Sequence, residues 1–139
     1  MVVKIVSACL AGINCRYDGK NNVNETVLRL VKEGKAIPVC PEQLGGLSTP
    51  RESMEIRNGL VFTASGKDET LAMLKGAEET LRIARLVGAK EAILKGRSPS
   101  CGKGRIYDGS FSKKLVEGNG VTAELLLRNG LKVVPEKEI

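Results

Sequence analysis

Histidine is absent from the chain, and so is tryptophan. Without histidine there is no Ser-His-Asp or Cys-His catalytic pair. Acid–base work falls to Asp, Glu, Lys, Tyr, Cys or Ser. A bound metal would be held by thiolates, with or without a carboxylate, since no imidazole is available. Aromatic residues number four, Tyr17, Phe62, Tyr107 and Phe111, fewer than the stacking platforms of single-stranded nucleic-acid binders usually need. No apolar run reaches the roughly 18 residues that mark a membrane-spanning candidate. The opening Met1-Val2-Val3-Lys4-Ile5 reads as a β-strand and not as a secretion signal. These absences point to a cytoplasmic protein with no membrane partner. In that reducing compartment four cysteines are metal-binding, catalytic or simply buried, rather than disulfide-bonded.

The chain has 139 residues and a net charge of +6. The length suits one domain spanning residues 1–139, long enough to bury a core without staples. The positive balance admits an anionic partner. Its lysines and arginines are scattered, however, and Lys113-Lys114 is their only adjacent pair. Nucleic acid is therefore possible but not favoured.

Apolar runs alternate with helical patterns. Residues 3–8, 36–39, 91–95 and 131–134 read as strands. Helices are predicted from Glu25 to Glu33, with Asn24 as cap, from an Asp68 cap to about Leu86, and from a Thr122 cap to Asn129. Val27, Leu28, Leu30 and Val31 form the apolar face of the first helix. Leu71, Leu74, Leu81, Ala84 and Val87 recur at helical spacing in the second. Asn58-Gly59 between two short apolar runs signals a hairpin. Strands alternating with helices predict an α/β fold: a small three-layer sandwich with a mainly parallel sheet of about four strands, plus a small hairpin excursion. Residues 96–120 form a long glycine-rich loop, which is functional or hides short structure. Active residues should gather where the strands end.

Each cysteine stands at or just after such an end. Cys9 follows the first strand with Cys15 close behind, Cys40 follows the second, and Cys101 lies in Ser98-Pro99-Ser100-Cys101-Gly102 after the third. No Cys-x2-Cys knuckle is present, so a zinc ribbon is weakly supported. Buried structural cysteines, a thiolate metal or cluster site and a lone nucleophile all remain open. If three thiolates hold a cubane cluster, one iron lacks a protein ligand and is a Lewis acid; four would close the site. A further echo links Arg16-Tyr17-Asp18-Gly19 with Arg105-Ile106-Tyr107-Asp108-Gly109, either two Asp-Gly turns or two loops framing one pocket.

Three groups of segments resemble the signatures of the thiouracil desulfurase family, in the same order over nearly the whole chain. The first is Ser7-Ala8-Cys9-Leu10-Ala11-Gly12 with Cys15-Arg16-Tyr17-Asp18-Gly19. The second is Cys40-Pro41-Glu42 with Gly45-Gly46-Leu47 and Pro50-Arg51. The third is Ser98-Pro99-Ser100-Cys101-Gly102 with Ile106-Tyr107-Asp108-Gly109 and Gly120-Val121-Thr122-Ala123. Ala11 stands where a second Leu is common and Ser53 where a Pro is common; both bear on substrate shape more than on the cluster. The resemblance implies a 4Fe-4S cluster held by Cys9, Cys40 and Cys101, with Cys15 as alternative ligand or supporting thiol. It implies non-redox removal of sulfur from a thiolated pyrimidine, giving the oxo product and hydrosulfide. Glu42 would deprotonate water or an intermediate group, and Ser98 would hydrogen-bond the substrate or relay a proton. Arg16, Tyr17, Arg51, Ser100 and Tyr107 would bind substrate, with Arg97 and Phe111 as further candidates. The alternative is a four-cysteine structural zinc or cluster module acting as an interaction domain.

Overall fold

A computed structural model describes residues 2–139; Met1, the head of the first apolar run, lies outside them. Four strands, β1 (Lys4–Ser7), β2 (Ala36–Val39), β5 (Glu91–Leu94) and β8 (Lys132–Pro135), form one sheet in the order β2-β1-β5-β8. All three pairings are parallel. Register places Val6, Ile93 and Val134 side by side on one face, and Ile5, Ala92 and Val133 on the other.

The first face packs under α1 (Glu25–Lys32) through Val27, Leu30 and Val31. The second packs under α3 (Thr70–Leu86) and α4 (Val121–Arg128) through Leu81, Ala84, Ala123 and Leu126. The chain steps from β1 to β2 in one direction, then jumps back over β1 to β5 and β8. Right-handed crossovers running in opposite directions put their helices on opposite faces. This is the expected three-layer α/β sandwich, and its strand order reverses between β1 and β5, where such folds open a crevice.

Local chemistry accounts for the boundaries. Asn24 Oδ1 accepts from the amides of Thr26 and Val27 at 3.0 and 3.2 Å, capping α1. Asp68 Oδ1 accepts from Thr70 N at 2.8 Å, so it serves α3 from one residue outside the Glu69 cap position. The hairpin of β3 (Met54–Arg57) and β4 (Leu60–Thr63) turns on Asn58 and Gly59 with φ of 53° and 76°, the left-handed pair its tight turn demands. Met54 and Val61 bury against Met73 of α3.

Details of the helices and loops come from the packing. Leu71 and Leu74 do not face the core: they are 82% and 44% exposed, and the buried stripe of α3 is Met73, Gly76, Ala77, Thr80, Leu81 and Ala84. The Leu spacing is helical on either face, and the small Gly76 and Ala77 sit on the core side where another helix lies close. Thr122 is not a cap: α4 begins at Val121, and Thr122 is buried with its hydroxyl 2.8 Å from that of Ser100. The long 96–120 loop does hide short structure, as its length suggested: a second hairpin, β6 (Arg105–Tyr107) with β7 (Leu115–Glu117).

The close neighbour of α3 is α2 (Pro41–Leu44), a single turn directly after Cys40. A Cβ at Gly76 would lie 1.9 Å from the Pro41 carbonyl oxygen, and one at Gly45 would lie 2.0 Å from that of Ala72. Glycine within a helix costs about 1 kcal/mol relative to alanine; here it permits the backbones to touch. We predict that Gly76→Ala destabilises the fold by at least about 1–3 kcal/mol despite its better helix propensity. A urea midpoint equal to that of the parent chain would contradict this.

Candidate functional site

The exits of β1, β2 and β5 open into one cavity of about 530 Å³, within the range of about 300–1,000 Å³ typical of small-molecule sites. All four cysteines line it, together with Glu42 and Ser98. Cys9 sits in a turn of 3-10 helix (Ala8–Ala11) that continues β1. Its carbonyl accepts from the Asn22 amide at 2.9 Å, and the Asn22 side chain reaches the thiol. Arg16 Nη1 in turn donates to Asn22 Oδ1 at 3.0 Å while Nη2 pairs with Asp18 at 2.8 Å. Arg16 thus lines the cavity but spends its guanidinium bracing the Cys9–Asn22 loop. Tyr17, from the same loop, and Tyr107, from β6, both line the cavity, so the repeated Tyr-Asp-Gly turns do frame one pocket.

Cys101 is held by backbone. Ser98 Oγ accepts from the amides of Ser100 and Cys101 at 3.1 and 3.0 Å. The amides of Val121, Thr122 and Ala123 donate to the carbonyls of Pro99 and Ser100. The orphan donors at the start of α4 are therefore satisfied by the Cys101 loop itself, not by a side-chain cap. Ser100 is buried in that seam against Thr122 and is not on the cavity wall; its assignment to substrate is corrected to a structural one. Ser7 joins this loop to β1: its hydroxyl accepts from Lys95 N at 2.9 Å, and it lowers the pKa of the Cys101 thiol against the effect of burial.

Cys40 stands at the N-cap of α2, its Sγ 3.8 Å from the Cys15 carbonyl and 3.8 Å from Glu42 Oε1. The thiols of Cys15 and Cys40 share a hydrogen bond, which holds Cys40 below the ordinary thiol range and drives Cys15 above it. The nearby guanidinium of Arg51 also favours the Cys40 thiolate. Burial pushes Cys9 and, more strongly, Cys101 upward, and the Glu42 charge adds to both.

Arg51 was expected on the substrate. Its side chain is only 8% exposed, and it donates to the Cys15 carbonyl at 3.1 Å, to Glu42 Oε2 at 3.4 Å and to Ser48 O and Thr49 Oγ1. It ties the Cys15 loop to the Glu42 carboxylate. Arg97 and Phe111 also line the cavity. Lys95 went unnoticed in the sequence. It lines the cavity, donates to Gly96 O at 3.1 Å, lies 3.6 Å from Glu136 Oε1, and offsets negative charge at Cys9. Asn22 and Glu55 were missed as well. Nothing in their local sequence marks them, because their partners lie elsewhere in the fold or depend on loop closure.

Among the described residues no three Cys, Asp or Glu side chains close around a single metal ion. A tetrahedral zinc, with Zn–S near 2.3 Å, needs its sulfurs drawn tightly together. Thiols spread around a roomy cavity instead fit a larger, sulfur-rich group, and an all-thiol donor set without imidazole fits iron–sulfur ligation.

Fold and site thus define an α/β protein with a thiol-lined pocket at the carboxyl ends of parallel strands. The chain belongs to the 2-thiouracil desulfurase family, whose model matches residues 5–138. It is similar to the uncharacterized protein YbbK of Bacillus subtilis (strain 168), with 47% identity over 145 residues, 97% of this chain and 96% of that one. It is also similar to a solved structure, the 4Fe-4S-dependent thiouracil desulfidase TudS. There the TM-score is 0.95 at 42% identity, covering 100% of this chain and 93% of the other.

In the metal-free protein, the lowered Cys40 thiol should be alkylated by iodoacetamide at lower pH than the other three, and about tenfold faster than buried Cys101 at neutral pH. Peptide mapping by mass spectrometry reads this. Equal labelling of Cys40 and Cys101 would contradict the electrostatic assignment.

Proposed function

We propose that residues 1–139 act as one iron–sulfur-dependent desulfurase domain in the reducing cytosol. Its substrate is a small thiolated pyrimidine; the thiocarbonyl sulfur is exchanged for water oxygen, with release of hydrosulfide and no net electron transfer. The single observation behind this reading is that four thiols and a carboxylate from three separate strand exits line one cavity. In this assignment Cys9, Cys40 and Cys101 hold a 4Fe-4S cluster. Cys15 supports Cys40 through the shared thiol hydrogen bond. When bound, the cluster supplies a Lewis-acidic iron with affinity for the soft thiocarbonyl sulfur, which polarises the adjacent carbon.

The chain's own groups carry the rest. Glu42 takes a proton from the attacking water, and Arg51 holds its carboxylate in place. Ser98 Oγ already accepts two amides, so its own hydrogen is free to donate to the substrate. Lys95 and Arg51 offset the negative charge that thiolates and sulfide bring into a partly buried site. Tyr17 and Tyr107 flank the ring from the two echoed loops.

Glu42→Gln keeps the size of the side chain and removes the base. We expect it to lower the anaerobic rate of sulfide release from thiouracil by about 10²–10⁴-fold, with iron and sulfide content unchanged. A Glu42→Gln rate equal to the parent rate would remove Glu42 from the reaction.

A further inference from the structure

Besides the strand exits and their loops, the two hairpins also supply cavity wall. β3 contributes Glu55, and the turn joining β6 to β7, residues 108–114, contributes Phe111 and Lys113. Both of these turn residues are left-handed, with φ of 57° and 65°. For bulky residues that conformation is unfavourable and persists only where the surroundings enforce it. The enforcing contacts lie on β3. Glu55 Oε1 accepts from the amides of Gly109 at 3.0 Å and Phe111 at 3.1 Å. Gly109 itself, at φ 92°, sits so close to the strand that a Cβ there would be 2.6 Å from Arg57 Cβ and 2.7 Å from the Ile56 carbonyl oxygen. Inside the turn, the amide of Asp108 donates to Lys114 O at 3.0 Å, and Asp108 Oδ1 accepts from Ser110 N at 2.9 Å. Those bonds close the turn on itself, whereas Glu55 and Gly109 fix it to the body of the protein. Among the described residues Glu55 Oε2 has no hydrogen-bond partner, and the side chain faces the cavity.

We propose that Glu55 is a positioning residue: it latches the 108–114 turn onto β3 and thereby sets Phe111 as the aromatic wall against which a planar pyrimidine rests. The identity of the ring rests on the desulfurase reading; the latch does not. Two amides converging on one carboxylate oxygen form charge-assisted bonds, stronger than neutral ones. Without them the strained backbone at Phe111 relaxes and the wall is lost.

The test uses the full chain, reconstituted anaerobically, as Glu55→Ala, Glu55→Gln, Gly109→Ala and Phe111→Ala variants. Hydrogen-exchange mass spectrometry over residues 108–114 reads the latch, and equilibrium binding of uracil, an unreactive ring, reads the wall. Glu55→Ala should speed exchange at Gly109 and Phe111 and weaken uracil binding, each by about tenfold or more. The KM for thiouracil should rise by a similar factor, with kcat within about twofold and iron content unchanged. Glu55→Gln keeps a carbonyl acceptor and should recover most of the loss. Gly109→Ala attacks the same seat without touching Glu55 and should reproduce the effect if Glu55→Ala fails to fold. Combining Glu55→Ala with Phe111→Ala should be no worse than Phe111→Ala alone. Unaltered exchange in the Glu55 and Gly109 variants would overturn the proposal, as would faster exchange with uracil binding unchanged. Normal latch and binding effects in a protein that releases no sulfide would support the latch and defeat the desulfurase reading alone.

Discussion

The site depends first on a directional constraint. All four sheet strands run the same way, so the chain leaves β1, β2 and β5 at one edge. Residues far apart in sequence meet there without any having to reach. The reversal of strand order between β1 and β5 parts the connecting loops and leaves room for a cavity. Ser7 ties the edge together: its buried hydroxyl accepts from the amide of Lys95, joining β1 to the exit of β5. A buried polar group is costly unless paired, and this one is paired.

The second constraint is how closely α2 can approach α3. The facing glycines Gly45 and Gly76 let backbone touch backbone, and that contact decides where Cys40 and Glu42 stand. Charge follows from the same placement. Thiols and a carboxylate share a partly dehydrated space, and the cations Arg51 and Lys95 enter it from separate loops. Arg51 bonds both the Cys15 carbonyl and Glu42. It couples the thiol loops to the carboxylate, so the geometry of one is the geometry of the other.

Much of this architecture was legible in the residues. Period and capping located the four parallel strands and the three long helices, because those signals are local. The Asn58-Gly59 turn was legible for the same reason. The convergence of Cys9, Cys15, Cys40 and Cys101 followed from a topological rule applied to strand ends. What escaped was tertiary. The leucines at 71 and 74 and the smaller residues at 73, 76, 77 and 80 are both helically spaced, and only the presence of α2 tells which face is buried. The β6–β7 hairpin is three residues a side, too short for alternation to register. Ser100 looked like a site residue because it neighbours Cys101, yet it faces Thr122. Arg16 and Arg51 looked free because only the closed loops bring them their partners, Asp18 and Asn22 for the first, Glu42 and the Cys15 carbonyl for the second. Glu55 carries no local signal at all; its meaning lies in two amides more than fifty residues away.

The division of labour among the four thiols bears the most weight. It is tested most directly by anaerobic reconstitution of the four single Cys→Ser variants, with iron, sulfide and zinc measured on each. The account predicts that Cys9→Ser, Cys40→Ser and Cys101→Ser lose the cluster, while Cys15→Ser retains iron and sulfide close to the parent content. Equal loss in all four variants, or zinc without iron in the parent chain, would contradict it.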